Sequence, residues 1–142
     1  MRLFLDANVL FSAAHSHAGR SLGLFRLAST GRCTLIASNH VVEEARRNLA
    51  AKSSESLDDF LGLQEELDTV AEAPLKLVSW AGGHGLPAND VPVLAAAVVG
   101  RADLLVTGDR THFGHLFGRV VGGVRVISLC EALTLVLKVN DS

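Results

Sequence analysis

The chain has 142 residues, enough for one hydrophobic core, and reads as a single domain over 1–142. It is 49% hydrophobic, yet no apolar run reaches the roughly 18 residues that span a bilayer, and the first apolar stretch, broken by Asp6 and Asn8, is not a signal peptide. The net charge of −2 argues against a nucleic-acid partner only until its distribution along the chain is followed.

An apolar run over about 2–6 reads as the first strand, followed by helical patterns at 8–14 and 20–30. A second strand at 34–37 leads into a helix at 39–51. From Ser53 to Leu75 there are seven acids and no Lys or Arg. Within that stretch Leu57, Phe60, Leu61, Leu67 and Val70 fall near helical spacing, so 55–72 reads as an amphipathic helix with its acids in water. The other eight acids of the chain face thirteen basic residues, an excess of five, which permits attraction to a phosphate backbone. A third strand is expected at 76–79, a helix at 91–100, a strand at 103–107, a strand at 124–128 and a last helix at 129–138. The glycines of "WAGGHGLPAND" and "FGRVVGGVR" mark two flexible connections. Strands alternating with helices, and apolar on both faces, predict an α/β fold with a parallel sheet covered on both sides.

Four acids stand out against this plan. Asp6 ends the first strand, where strand propensity does not explain a carboxylate. Glu44 lies on the helix "NHVVEEARRNLA", Asp90 opens the helix "NDVPVLAAAVVG", and Asp109 follows the fourth strand in "TGDR". Each has a plain reading of its own: Asp90 as an N-cap before Pro92, Glu44 as surface charge beside Arg46 and Arg47, Asp109 as a turn residue. Taken together, Asp6 and Asp109 at strand carboxyl ends fall where open α/β sheets bind ligands, provided the first and fourth strands are neighbours. Carboxylates gathered at low dielectric repel unless a cation neutralises them, which points to a divalent-metal site and phosphodiester hydrolysis. Asn8 caps or orients the turn after Asp6.

Other motifs carry less. "GRSLG" matches a nucleophile elbow, but no strand precedes Ser21. "GHGLPA" matches a dinucleotide fingerprint, but the helix starts after it, at Asn89-Asp90. The pairs His15/His17 and His112/His115 lack further ligands at zinc spacing and read as solvated or loop histidines. Cys33 and Cys130 show no metal-ligand spacing and make no disulfide framework, so a reducing, cytoplasmic setting is expected. One Trp, six Phe and no Tyr form no aromatic stripe for single-stranded RNA.

The segments "LFLDANVLFSA", "VVEEARRNL" and "NDVPVLAAAVVGRADLLVTGD" resemble the signature segments of PIN-domain proteins, among them the VapC-type toxin ribonucleases of toxin–antitoxin pairs. The third is the most specific: an acid opening an Ala-rich helix, then an apolar strand ending in Thr-x-Asp. Residues 53–88 carry no motif. The resemblance implies a three-layer α/β/α fold whose five-stranded parallel sheet has the order 3-2-1-4-5. It also implies Mg²⁺- or Mn²⁺-dependent RNA cleavage, an antitoxin protein partner and a homodimer. It assigns Asp6, Glu44, Asp90 and Asp109 to the catalytic metal site, with Glu44 preferred to Glu43 because it begins E-x-x-R-x-L. By the same resemblance Asn8 and Thr107 support the site by hydrogen bonds, whereas Asp103 precedes the fourth strand, at its far end from the site.

The expected activity is therefore a ribonuclease that hydrolyses RNA at a four-carboxylate site, with Arg46, Arg47 or Arg110 either steering phosphates or forming surface ion pairs. The rival is a non-catalytic PIN-like module that binds RNA or protein. A phosphoacceptor or phosphatase built on Asp6 is weaker, because "DAN" offers no second carboxylate two residues on.

Overall fold

The computed structural model describes residues 1–16 and 19–140. Six strands form one sheet: β1 (Arg2–Leu5), β2 (Thr34–Ser38), β3 (Asp68–Val70), β4 (Leu104–Val106), β5 (Val120–Val121) and β6 (Val124–Ile127). The helices are α1 (Ala7–His15), α2 (Arg20–Ser29), α3 (Asn39–Lys52), α4 (Leu57–Gln64), α5 (Leu75–Ala81), α6 (Val91–Val99), α7 (Arg110–Phe113) and α8 (Leu129–Asn140). The strand order is β3-β2-β1-β4-β6-β5, parallel throughout except for the antiparallel β5–β6 pair.

Every residue of Leu3–Leu5 and Leu104–Val106 is buried. Successive side chains of a strand point to opposite faces, so helices must cover both sides of the sheet. Right-handed crossovers put α1–α4 on one face and α5–α6, which carry the chain back from β3 to β4, on the other. The packing agrees: α1 meets α2, α3 and α4, α8 meets α2, and α5 meets α6. Phe4, Phe25, Phe60 and Phe113 are fully buried, each a stabilisation of about 1.5–3 kcal/mol relative to exposure. In α6 the run Ala95–Ala97 is fully buried, and its small side chains let the helix lie close to the sheet. Gly100 ends that helix where an added Cβ would sit 3.0 Å from the Ala96 carbonyl oxygen and 3.1 Å from Val70.

Counting parallel strands alone, the order is the expected 3-2-1-4-5, but the third strand lies elsewhere. The segment 76–79, expected as a strand, belongs to α5. Pro74 supplies an extended residue before it, and the N–H groups of Leu77 and Val78 donate back to the Pro74 carbonyl at 3.0 and 3.1 Å. Leu77, Val78 and Ala81 turn inward while Leu75 is 86% exposed, the one-sided burial of a helix. The helix expected over 55–72 stops at Gln64, Leu61 is exposed, and Asp68–Val70 extends as the edge strand β3 along β2, pairing Ile36 with Asp68 and Ser38 with Val70. Gly62 weakens that helix from within, and the open edge of β2 offers the following residues a ladder.

The sixth strand comes from "FGRVVGGVR", expected as a flexible connection. Gly122 and Gly123 have φ of +60° and +84°, and this pair of left-handed residues closes a two-residue hairpin between β5 and β6. No described helix is long and apolar enough to cross a membrane.

Candidate functional site

From β1 the chain builds leftward through β2 and β3, and from β4 it builds rightward through β6, so β1 and β4 flank the point where strand order reverses. A cleft of about 350 Å³ opens above their carboxyl ends, bordered by Asp6, Asn8, Glu44, Asp90 and Asp109. Phe11, Asn48, Lys52, Asn89 and His112 complete most of its wall.

Asp6 is 3% exposed and caps α1, its Oδ1 accepting from the Ala7 N–H at 2.8 Å. Its Oδ2 accepts from Thr107 Oγ1 at 2.8 Å and from Asn8 Nδ2 at 3.4 Å. Burial pushes this carboxyl up to about 6 against the hydrogen bonds from Thr107 and Ala7, and the charges of Asp90 and Glu44 push the same way. Thr107 is fully buried and also accepts from the Asp109 N–H at 3.1 Å. Asn8 accepts from the Gly108 N–H at 2.9 Å through Oδ1, tying the turn after β1 to the turn after β4. The two supporting residues expected from sequence thus both touch Asp6.

Asp90 stands at the start of α6 but makes no capping hydrogen bond. Its Oδ2 lies 2.8 Å from His112 Nδ1, and the same nitrogen lies 2.8 Å from Asp109 Oδ2. Burial raises the Asp90 carboxyl above its ordinary value; His112 opposes the rise, and the charges of Asp109 and Glu44 add to it. Asp109 does what Asp90 does not: it caps α7, accepting from the His112 N–H at 3.0 Å. Glu44, on the second turn of α3, accepts from Asn89 Nδ2 at 2.6 Å, whereas Glu43 is exposed and pairs with Arg46 at 2.6 Å.

The ligand atoms of Asp90, Asp109 and His112 all lie within 4.8 Å of one another. Asp6 and Glu44 border the same cleft outside that close group. His112, by contrast, reads from the sequence as a solvated or loop histidine. It lies three residues after Asp109, one turn along α7, and that i, i+3 spacing was the available signal. The other histidines go elsewhere: His115 Nε2 meets the His84 carbonyl at 2.7 Å, His15 Nδ1 meets Ser53 Oγ at 3.0 Å, and His17 lies outside the described residues.

The remaining motifs take structural places. Asp103 accepts from the Arg2 N–H at 2.7 Å at the opposite end of the sheet. Ser21 is buried within α2, its hydroxyl without a hydrogen-bond partner, so nothing activates it as a nucleophile. In "GHGLPA", Gly85 turns the chain at φ +71° against the His115 ring. Arg110 lies over the Phe117 ring at 5.3 Å.

Hard carboxylate oxygens facing a cleft, two of their acids raised by burial and by the charge of neighbouring carboxylates, fit a divalent cation of the Mg²⁺ or Mn²⁺ type. An opposite charge placed there would offset both the burial and the like-charge repulsion that disfavour the ionised carboxylates.

The fold has close counterparts. VapBC2 from Rickettsia felis, in a structure bound to a DNA fragment from their promoter, superposes with a TM-score of 0.64 at 19% identity over 90% of this chain and 98% of that one. PAE2754 from Pyrobaculum aerophilum gives 0.65 at 18% identity over 97% and 96%. VapC20 from Mycobacterium tuberculosis, a sarcin–ricin loop cleaving toxin, gives 0.54 at 13% identity over 77% and 91%. Curated protein sequences offer no match. The family model of the PIN domain matches residues 2–111, from the first strand through the turn that carries Asp109. This chain belongs to the PIN domain family.

Proposed function

We propose that this protein is a divalent-metal-dependent ribonuclease, acting as the toxin of a toxin–antitoxin pair. The observation that carries the reading is the meeting of Asp90 and Asp109, with His112 between them, in the cleft that Asp6 and Glu44 also border. Support for the substrate comes from the M. tuberculosis neighbour, named for cleaving the sarcin–ricin loop, and support for an antitoxin partner from the VapBC complexes of R. felis and Haemophilus influenzae. Self-association as a homodimer and a cytoplasmic location belong to the same reading.

Asp6, Asp90 and Asp109 would hold one or two Mg²⁺ or Mn²⁺ ions, with Glu44 binding directly or through water. When bound, such an ion activates water and offsets charge at the scissile phosphate. The residues divide the remaining tasks. Thr107 and Asn8 fix the Asp6 carboxylate, and Asn89 fixes Glu44, so the oxygens that receive the ion do not have to be ordered at each turnover. His112 Nδ1 lies 2.8 Å from an oxygen of each of Asp90 and Asp109, and a proton on that nitrogen would be shared between the two acceptors. The contact bridges the two acids that would share a cation.

The deciding experiment is cleavage of a panel of structured and single-stranded RNAs in Mn²⁺, Mg²⁺ or EDTA, with wild type beside Asp6→Asn. Metal-dependent cleavage lost in the variant is the expected result. Folded protein that binds no divalent ion would overturn the four-carboxylate site, and metal binding without cleavage of any RNA would favour a binding module.

A further inference from the structure

The cleft has a wall that the carboxylates do not account for. On α1, one turn after Ala7, Phe11 is half-buried and faces the cleft. Its ring stacks on that of His15, four residues on, with centroids 5.5 Å apart and planes inclined by 28°. His15 is held in its turn, Nδ1 lying 3.0 Å from Ser53 Oγ, a hydroxyl that also meets Glu55 at 3.0 Å and Ser56 at 2.9 Å. Next to Ser53, Lys52 lines the same cleft, with Asn48 one turn before it on α3. Lys52 is the sole Lys or Arg among the described residues that line it.

We propose that Phe11, backed by His15, is a stacking platform for one unpaired base of a single-stranded RNA, with Lys52 on the phosphate beside that base. The inference rests on the ribonuclease reading and narrows it to the form of RNA that enters. A base in a duplex has both faces covered by its neighbours, whereas an unpaired nucleotide has a free face to lay on an aromatic ring. Stacking on Phe11 tolerates any base, because each has a π-face. The His15 contact and its anchor at Ser53 fix the ring before the base arrives, which lowers the ordering cost of binding. Aromatic side chains too sparse to form a stripe along the sequence are thus paired across one helical turn, at the edge of the cleft.

The test uses single-stranded RNA octamers carrying 2-aminopurine at each position in turn. Binding and fluorescence are read in Ca²⁺, and cleavage separately in Mn²⁺. The expected result is quenching at one position with wild type. Phe11→Leu abolishes the quench and weakens binding about 5- to 100-fold, while Phe11→Tyr, which keeps the ring, retains both. Lys52→Gln lowers the slope of log affinity against log salt by about 0.7. A folded Phe11→Leu protein with unchanged quenching and affinity would overturn the platform, as would wild-type binding without quenching at any position. Those two results leave the ribonuclease reading standing if the Mn²⁺ arm still cleaves. Wild type that neither binds nor cleaves RNA would remove both.

Discussion

Thr107 Oγ1 donates a 2.8 Å hydrogen bond to Asp6 Oδ2, joining the residue after β4 to the residue after β1 across 101 positions of chain. The bond is buried and its acceptor is a carboxylate, so it orients Asp6 toward the cleft and offsets part of the cost of ionising it. Thr107→Val keeps the shape and removes the donor. At pH 8 the variant is expected to be less stable by about 1–3 kcal/mol, with a smaller loss near pH 4, where Asp6 is protonated. Urea unfolding at the two pH values checks this; an equal loss at both would detach the effect from Asp6.

Asp6 itself makes stability depend on pH. Its folded value of about 6 lies above the ordinary 3.8. Between those values the folded protein therefore binds more protons than the unfolded one, and stability falls as pH rises through the window. Burial of Asp90 acts in the same direction. In EDTA, Asp6→Asn is expected to gain on wild type by on the order of 2–3 kcal/mol between pH 3.5 and pH 8. Unfolding curves for both proteins across that range measure it, and a constant difference would refute the raised carboxyl.

Saturating Mn²⁺ at pH 7.5 should stabilise the wild type, by about 2.7 kcal/mol at a concentration one hundred times Kd. Asp109→Asn and Asp90→Asn remove oxygens from the close group and should lose most of that gain while folding normally in EDTA. Differential scanning calorimetry with and without the ion reads it directly. Equal stabilisation of wild type and both variants would place the ion elsewhere.

Away from the cleft, the β5–β6 turn packs closely against Trp80 and Val98. A Cβ on Gly122 would lie 2.6 Å from the Trp80 ring and 2.9 Å from Val98, at φ +60°. Gly123, at φ +84°, has nothing within 4 Å. Gly122→Ala is expected to destabilise by about 1–3 kcal/mol and to alter Trp80 fluorescence, whereas Gly123→Ala bears the backbone strain alone. Equal effects of the two substitutions would contradict this packing.

Sequence alone determined what local periodicity and short-range chemistry encode. The apolar runs of β1 and β4 and the Ala-rich α6 were legible because burial on both faces leaves no other composition. Asp6 was legible because a carboxylate has no local reason to end such a strand. The order of the parallel strands followed from the family resemblance. Tertiary structure decided what depends on partners distant in the chain. Asp68–Val70 carries helix-compatible spacing and became a strand because the edge of β2 had no other neighbour. Residues 76–79 carry strand-like composition and became helical because one face of α5 packs onto α6 while Leu75 stays in water. Asp90 had every local mark of a helix cap, yet its carboxylate turns to His112, a partner that only the packing of α7 beside α6 brings within reach. His112 and the Phe11–His15 pair gained their places only when α7 and α1 converged on the same cleft. A side chain's electrostatic surroundings are set by neighbours in space, and those the chain order does not disclose.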